Sequence, residues 1–164
     1  MLLRQHFFYE LNQVIIKLSR PVVKAGKNIK GNDLMIECGL KGKAETLVTR
    51  EKTAKFVGSG ELEVLATPML AALMENAALG ALNLSENQTS VGTYLNIKHL
   101  APTPVGMKVW AEAEVIKTEG RKIIFKVVAF DEEEKIGEGE HERVIVSKDK
   151  FMAKAKNKKV VDKK

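Results

Sequence analysis

The residue whose type and position most strongly indicate chemistry is a carboxylate, Glu75. It is the only charged side chain between Pro68 and Leu84, in a stretch that otherwise reads as an apolar helix. A helix that is apolar nearly all round is expected to be buried. Burying a carboxylate is costly unless another group pairs with it or the protein uses it. We therefore predict that this helix forms the core of the fold and that Glu75 belongs to an active site.

The start of this helix is marked by Thr67 and Pro68. Threonine is a preferred N-cap residue, and proline suits the first helical position. The pattern predicts a helix from there to about Leu82. Thr67 and Glu75 are separated by about 12 Å along such a helix, at 1.5 Å per residue, so they cannot touch each other directly within one chain.

The sequence on both sides of the helix has patterns typical of β-strands. A first strand is expected within residues 36–50, and four more are expected at residues 89–98, 108–118, 122–130 and 135–146. In the last of these, Gly137, Gly139, His141 and Arg143 alternate with glutamates, which predicts a glycine-rich inner face and an acidic outer face. The fold class is α+β: an antiparallel sheet of about five strands, the last four a meander, wrapped round one long central helix.

The two ends of the chain differ from this domain, which we place at residues 35–147. Residues 1–34 are predicted to form an extension with an extra N-terminal helix over 2–18 and a linker. Met35 is an alternative natural start. Residues 148–164 form a lysine-rich tail that carries the whole net charge of +6. A solvated tail is the better interpretation, because Phe151 is its only aromatic residue and no nucleic-acid stacking surface results.

Composition excludes several function classes. No apolar run is long enough for a membrane span, and the single cysteine, Cys38, allows no internal disulfide, which fits a cytoplasmic protein. The sequence has no phosphate-binding Walker loop, no dinucleotide-binding glycine fingerprint and no cysteine–histidine cluster for zinc. We expect no metal, no nucleic acid and no membrane among its partners.

A set of short runs, in order, carries a resemblance to a known family. The runs are residues 66–70 (ATPML), 73–75 (LME), 90–93 (SVGT), 99–106 (HLAPTPVG) and 136–143 (IGEGEHER). Together they resemble the hot-dog-fold thioesterases related to fluoroacetyl-CoA thioesterase, over about residues 35–155. The resemblance implies a hot-dog fold, a homodimer or higher homo-oligomer with its active site at the subunit interface, and hydrolysis of a short acyl-CoA without a cofactor.

The resemblance also implies site residues. The catalytic Thr, Glu and His of the family fall on Thr67, Glu75 and His99, and its active-site glycine and late arginine fall on Gly92 and Arg143. Glu75 would be the nucleophile or the base for water, and His99 a proton relay. Gly92 would offer an N–H to the thioester oxygen. Arg143 would hold a CoA phosphate or brace the site. Lys98 and the tail lysines are further candidates for phosphate contacts.

Each residue also has a structural explanation. Glu75 can be a hydrogen-bonded carboxylate at a subunit interface, and His99 an exposed histidine before a turn. Thr67 can be a helix cap, Gly92 a strand bulge and Arg143 a partner of a nearby carboxylate. His141, on the glycine-rich face, is expected to be structural.

The sequence departs from the family before the helix. Selectivity for a fluorinated substrate depends on an aromatic lid there, and residues 57–61 of this chain (VGSGE) have only Phe56 nearby. We therefore expect a general short-chain acyl-CoA as substrate. The alternative is a non-catalytic acyl-CoA-binding hot-dog dimer. A hot-dog hydratase is weaker, because it needs a close Asp/His pair that is absent.

Overall fold

The computed structural model describes residues 36–158. The predicted N-terminal helix and linker lie outside the described residues, as does the end of the lysine-rich tail.

Five strands and three helices make up the described chain. They are β1 (Lys41–Leu47), a 3₁₀ turn (Arg50–Lys52), α1 (Ala54–Val57), α2 (Thr67–Gly80), β2 (Gln88–His99), β3 (Lys108–Glu119), β4 (Lys122–Asp131), β5 (Lys135–Ser147) and α3 (Lys148–Lys156). The predicted apolar helix is α2, and all five predicted strands are present within a few residues of their expected limits.

The strands form one antiparallel sheet in the order β1-β3-β4-β5-β2. The predicted four-strand meander is therefore wrong in one respect: only β3, β4 and β5 are consecutive neighbours, whereas β2 lies at the far edge and pairs with β5. Residues 100–107, with two prolines, carry the chain from β2 to β3 instead of forming a hairpin. As a result, β2 has a partner strand on one side only within residues 36–158.

Helix α2 packs on the inner face of this sheet with one side. Leu70, Met74 and Ala77 are fully buried there, and burying a leucine or methionine side chain contributes about 1.5–3 kcal/mol. On β1, a Cβ at Gly42 would collide with the helix backbone at Ala77 and Ala81. The prediction of a helix buried all round was too strong, because Leu79 on the opposite side is 40% exposed in the single chain.

The inner face of β5 follows the predicted alternation. Gly137, His141 and Arg143 are buried, whereas Glu140 on the other face is exposed. A Cβ at Gly137 would lie 2.9 Å from Leu70 Cδ2, so this glycine does admit the helix. At Gly139 the close neighbour is instead the backbone of β2 at Asn96 and Ile97.

The chain after β5 begins with a helix. Lys148–Lys156 form α3, whose side chains are all exposed. Lysine and alanine, which alternate over residues 153–156, are good helix formers, although only a solvated tail was predicted here from the sequence. None of the helices within residues 36–158 is long and apolar enough to cross a membrane.

Candidate active site

Thr67 and His99 meet at one end of β2. Thr67 Oγ1 lies 2.9 Å from His99 Nδ1. The cap prediction for Thr67 was wrong: the N-cap is Ala66, Thr67 is the first helical residue, and no side chain caps the helix. Its hydroxyl is consequently free to orient the histidine ring.

His99 presents its second ring nitrogen to the site. Nε2 is buried and has no hydrogen-bond partner among residues 36–158. Burial lowers the pKa of His99 below its ordinary value of 6.5, and the backbone of Ala101 opposes this effect in part. The imidazole is therefore neutral at pH 7. When Nδ1–H donates to Thr67, Nε2 carries the lone pair and can accept a proton.

Glu75, on α2, lies beside Gly92 of β2 and His141 of β5, away from the Thr67–His99 contact. A Cβ built on Gly92 would stand 2.9 Å from Glu75 Oε1 and 3.0 Å from His141 Cε1. A larger residue at this position would require the carboxylate to move. The backbone of β2 therefore runs directly beside the one charged side chain of α2.

Arg143 lies behind Glu75 and is almost wholly buried. Its Nε donates to Ser90 Oγ at 2.8 Å, and its Nη2 donates to the Ser90 carbonyl at 2.7 Å. Its Nη1 donates to the Glu75 carbonyl at 3.3 Å and lies 3.1 Å from His141 Nε2. All three guanidinium nitrogens are hydrogen-bonded to the protein. This favours the prediction that Arg143 braces the site over the prediction that it holds a CoA phosphate.

A bulge in β2 determines how Gly92, beside Glu75, and His99, beside Thr67, are oriented relative to each other. The register with β5 shifts between Gly92 and Tyr94, so Thr93 is an extra residue. Gly92 pairs with Arg143 and His99 pairs with Gly137, both on the inner face of β5. In a regular strand, residues seven apart face opposite sides. The bulge places Gly92 and His99 on the same side.

Within one chain the two groups remain apart. Seven residues of strand span about 23 Å at 3.3 Å per residue, and Thr67 and Glu75 are separated by about 12 Å of helix. We name them the Thr67–His99 pair and the Glu75 cluster, the latter comprising Glu75, Gly92, His141 and Arg143. The five predicted site residues thus fall into two groups, with four of them on α2 and β2 and Arg143 on β5.

Two members of this arrangement were missed or undervalued. His141 is fully buried beside the carboxylate, although its position on the inner face of β5 with Arg143 was visible in the alternation. Ser90, which holds Arg143, carries no signal in the sequence that would have identified it. The bulge at Thr93 was considered only as an alternative explanation for Gly92.

This fold and site belong to a defined class of proteins. The profile of the family "fluoroacetyl-CoA-specific thioesterase" matches residues 48–149, which is more than half of the chain. The chain therefore belongs to this family of hot-dog thioesterases and is a thioester hydrolase by class.

Individual relatives agree. Fluoroacetyl-CoA thioesterase of Streptantibioticus cattleyicolor is 39% identical over 98 residues, which cover 58% of this chain and 70% of that protein. A crystal structure of a mutant of the fluoroacetyl-CoA-specific thioesterase FlK, in complex with fluoroacetate and CoA, has a TM-score of 0.67 and 31% identity, and covers 71% of this chain and 99% of its own. A Thermus thermophilus thioesterase superfamily member has a TM-score of 0.69 and 34% identity, over 75% of this chain and 93% of its own.

Proposed function

We propose that the protein hydrolyses short-chain acyl-CoA thioesters in a composite site made by two subunits. The Thr67–His99 pair of one subunit would face the Glu75 cluster of the other. The observation that carries this proposal is the separation of the two groups along β2 together with their common orientation. The Glu75 cluster holds a carboxylate and an oxyanion donor, but both ring nitrogens of its histidine are already hydrogen-bonded. The Thr67–His99 pair holds a proton carrier but no carboxylate.

The edge strand β2 supplies a means of joining them. Its outer side has no strand partner within residues 36–158, and an unpaired edge readily accepts a second strand. Two copies of β2 can pair antiparallel about a twofold axis, as in a homodimer with an isologous interface. Tyr94 is 48% exposed on this edge strand, which is consistent with a surface that a second copy covers.

We propose the register that brings the two groups together. Residues directly opposite each other in an antiparallel pair must face the same side of the sheet. With Asn96 on the twofold axis, Leu95 lies opposite the partner subunit's Ile97. The extra residue at Thr93 then places Gly92 opposite His99 of the partner subunit. Twofold symmetry gives two identical composite sites.

In such a site each group has a chemical task. The Gly92 N–H would stabilise the oxyanion that develops on the thioester carbonyl. Glu75 would either attack the carbonyl carbon to form a mixed anhydride or deprotonate the attacking water. His99 would move the proton through Nε2, with Thr67 holding its ring. The products are the free acid and CoA, and water supplies both the hydroxyl group and the proton.

The substrate is proposed to be an unfluorinated short acyl-CoA. In the relevant stretch, α1 ends at Val57, Gly58 adopts a left-handed conformation, and residues 58–63 are all exposed. No aromatic side chain covers the start of α2 from this stretch. We also propose that the protein acts in the cytoplasm.

The proposal is tested by thiol release from acetyl-, propionyl-, butyryl- and hexanoyl-CoA. Wild type is expected to turn over the shorter esters, and Glu75→Ala to lose about 10²-fold or more in kcat, the scale of losing a group that acts in the transition state. Equal, slow thiol release by wild type and Glu75→Ala, with the esters still bound, would instead support the non-catalytic acyl-CoA-binding dimer.

A further inference from the structure

His141 is a fully buried histidine with a hydrogen bond on each ring nitrogen. Nδ1 lies 2.8 Å from the carbonyl oxygen of Tyr94, and Nε2 lies 3.1 Å from Arg143 Nη1. A carbonyl only accepts a hydrogen bond and a guanidinium only donates one. The ring is therefore the neutral Nδ1–H tautomer, with its Nε2 lone pair directed at Arg143.

The surroundings of His141 favour this neutral form. Burial lowers its pKa, the Arg143 charge lowers it further, and the Tyr94 carbonyl and the Glu75 charge oppose them in part. Arg143 from β5 and Glu75 from α2 are the charged groups that face it. From β4, the apolar ring of Phe125 lies 6.4 Å away between ring centroids. The tautomer of His141 is thus fixed by the Tyr94 carbonyl on one ring nitrogen and by the buried Arg143 guanidinium on the other.

Tyr94, the acceptor, is the first paired residue after the bulge in β2. A bulge interrupts the regular ladder and leaves backbone groups that need other partners. The Tyr94 carbonyl, directly after the bulge, accepts the Nδ1–H of His141. On the far side of the ring, Arg143 donates to the Glu75 carbonyl. One continuous chain of hydrogen bonds therefore runs from the bulge, through His141 and Arg143, to the helix that carries the carboxylate.

From this geometry we infer that His141 is a positioning residue: its Nδ1–H holds the Thr93 bulge and thereby sets Gly92 beside Glu75 and on the same face as His99. This inference rests on the proposed function, since it concerns the site's alignment. It assigns His141 no contact with substrate. A side chain of equal volume alone does not fulfil this role, because the contact with the Tyr94 carbonyl needs a hydrogen on Nδ1.

Three variants of His141 distinguish the roles of its two ring nitrogens. In His141→Asn the amide N–H can replace Nδ1–H, in His141→Gln the amide oxygen can replace Nε2, and His141→Phe removes both groups while filling the space. Val127→Ala, a fully buried truncation on β4 opposite Gly139 that removes no hydrogen-bonding group, is the matched control for lost packing.

The measurements are kcat and KM for the best acyl-CoA. We expect His141→Phe to lose about 10²-fold in kcat, the scale of an ångström-sized misplacement, with KM changed less than about threefold. His141→Asn should retain at least about tenfold more kcat than His141→Gln, and Val127→Ala should match wild type. Equal kcat in the Asn and Gln variants, or a Phe variant as active as Val127→Ala, would overturn the inference.

A spectroscopic measurement that does not depend on catalysis tests the positioning role independently of the proposed thioesterase activity. Both His141→Asn and His141→Gln lose the ring beside Gly92, so the comparison is between the two variants: the Gly92 amide signal in a ¹H–¹⁵N spectrum should move further from its wild-type position in His141→Gln than in His141→Asn. Were wild type to show no thioesterase activity, the proposed function would fail while this shift still reported on positioning. A Gly92 signal that moves equally in the Asn and Gln variants would contradict the positioning role in either case.

Discussion

Gly92 and His99 face the same side of the sheet although they are seven residues apart on one strand. The single extra residue at Thr93 produces this relationship, since it shifts the register with β5 between Gly92 and Tyr94. Without the bulge, a backbone donor at position 92 and an imidazole at position 99 would point to opposite faces. The proposed site depends on this one irregularity.

Gly92→Ala is expected to reduce kcat by about 10²-fold with little loss of folding. The added methyl group would stand 2.9 Å from Glu75 Oε1 and 3.0 Å from His141 Cε1, so the carboxylate must move, and misplacement of about 1 Å has a cost of this order. Steady-state kinetics with a thermal melt would measure both effects. Gly80→Ala is the control, because a Cβ there would lie 3.8 Å from the Lys43 carbonyl oxygen, an ordinary contact distance.

Wild-type kcat in Gly92→Ala would show that the carboxylate can shift freely, and the close approach of β2 to Glu75 would then have no catalytic meaning.

Asn96→Cys is expected to cross-link two subunits. In the proposed register, the two copies of residue 96 are opposite each other on the twofold axis, at a Cα separation of about 4.5–5.5 Å that suits a disulfide. The background should carry Cys38→Ser, since Cys38 is exposed. Non-reducing electrophoresis after mild oxidation would show a dimer band. Lys126→Cys, exposed on the interior strand β4, should give no cross-linked dimer band under the same conditions.

A cross-link that forms equally well at position 126, or fails to form at 96 in a protein that sediments as a dimer, would rule out this register.

The rate is expected to stay high down to pH values below 6.5. Burial lowers the pKa of His99, and the neutral ring is the form that can accept a proton at Nε2. Acid therefore inactivates the free enzyme only as pH falls through the lowered pKa, not at the ordinary value of about 6.5. The profile of log kcat/KM against pH measures this. An acid limb centred above pH 6.5 would contradict a proton relay by this neutral, buried ring.

Much of the fold could be predicted from the sequence because it depends on local patterns. Proline at the helix start, the apolar run around Glu75, and the alternation along β5 are each readable without knowledge of the rest of the chain. The resemblance in short runs then identified the family. The position of Glu75 on α2 and of His99 at the end of β2 followed from these patterns.

The parts that were not predicted depend on contacts between distant segments. The place of β2 beside β5 is set by the chain path through residues 100–107, which has no periodic signature. The bulge at Thr93 is visible only once β2 and β5 are paired. The burial of His141 depends on α2 covering the inner face of β5, so its residue type alone pointed to an ordinary structural histidine.

The most direct test of the composite site is complementation between two inactive variants. Glu75→Gln and His99→Ala subunits, given different affinity tags, are co-expressed, and the heterodimer is isolated on both tags. If the Thr67–His99 pair of one subunit works with the Glu75 cluster of the other, one of the two sites is intact. A composite site predicts about half of the wild-type kcat per dimer, with each homodimer inactive. A heterodimer as inactive as both homodimers would contradict it.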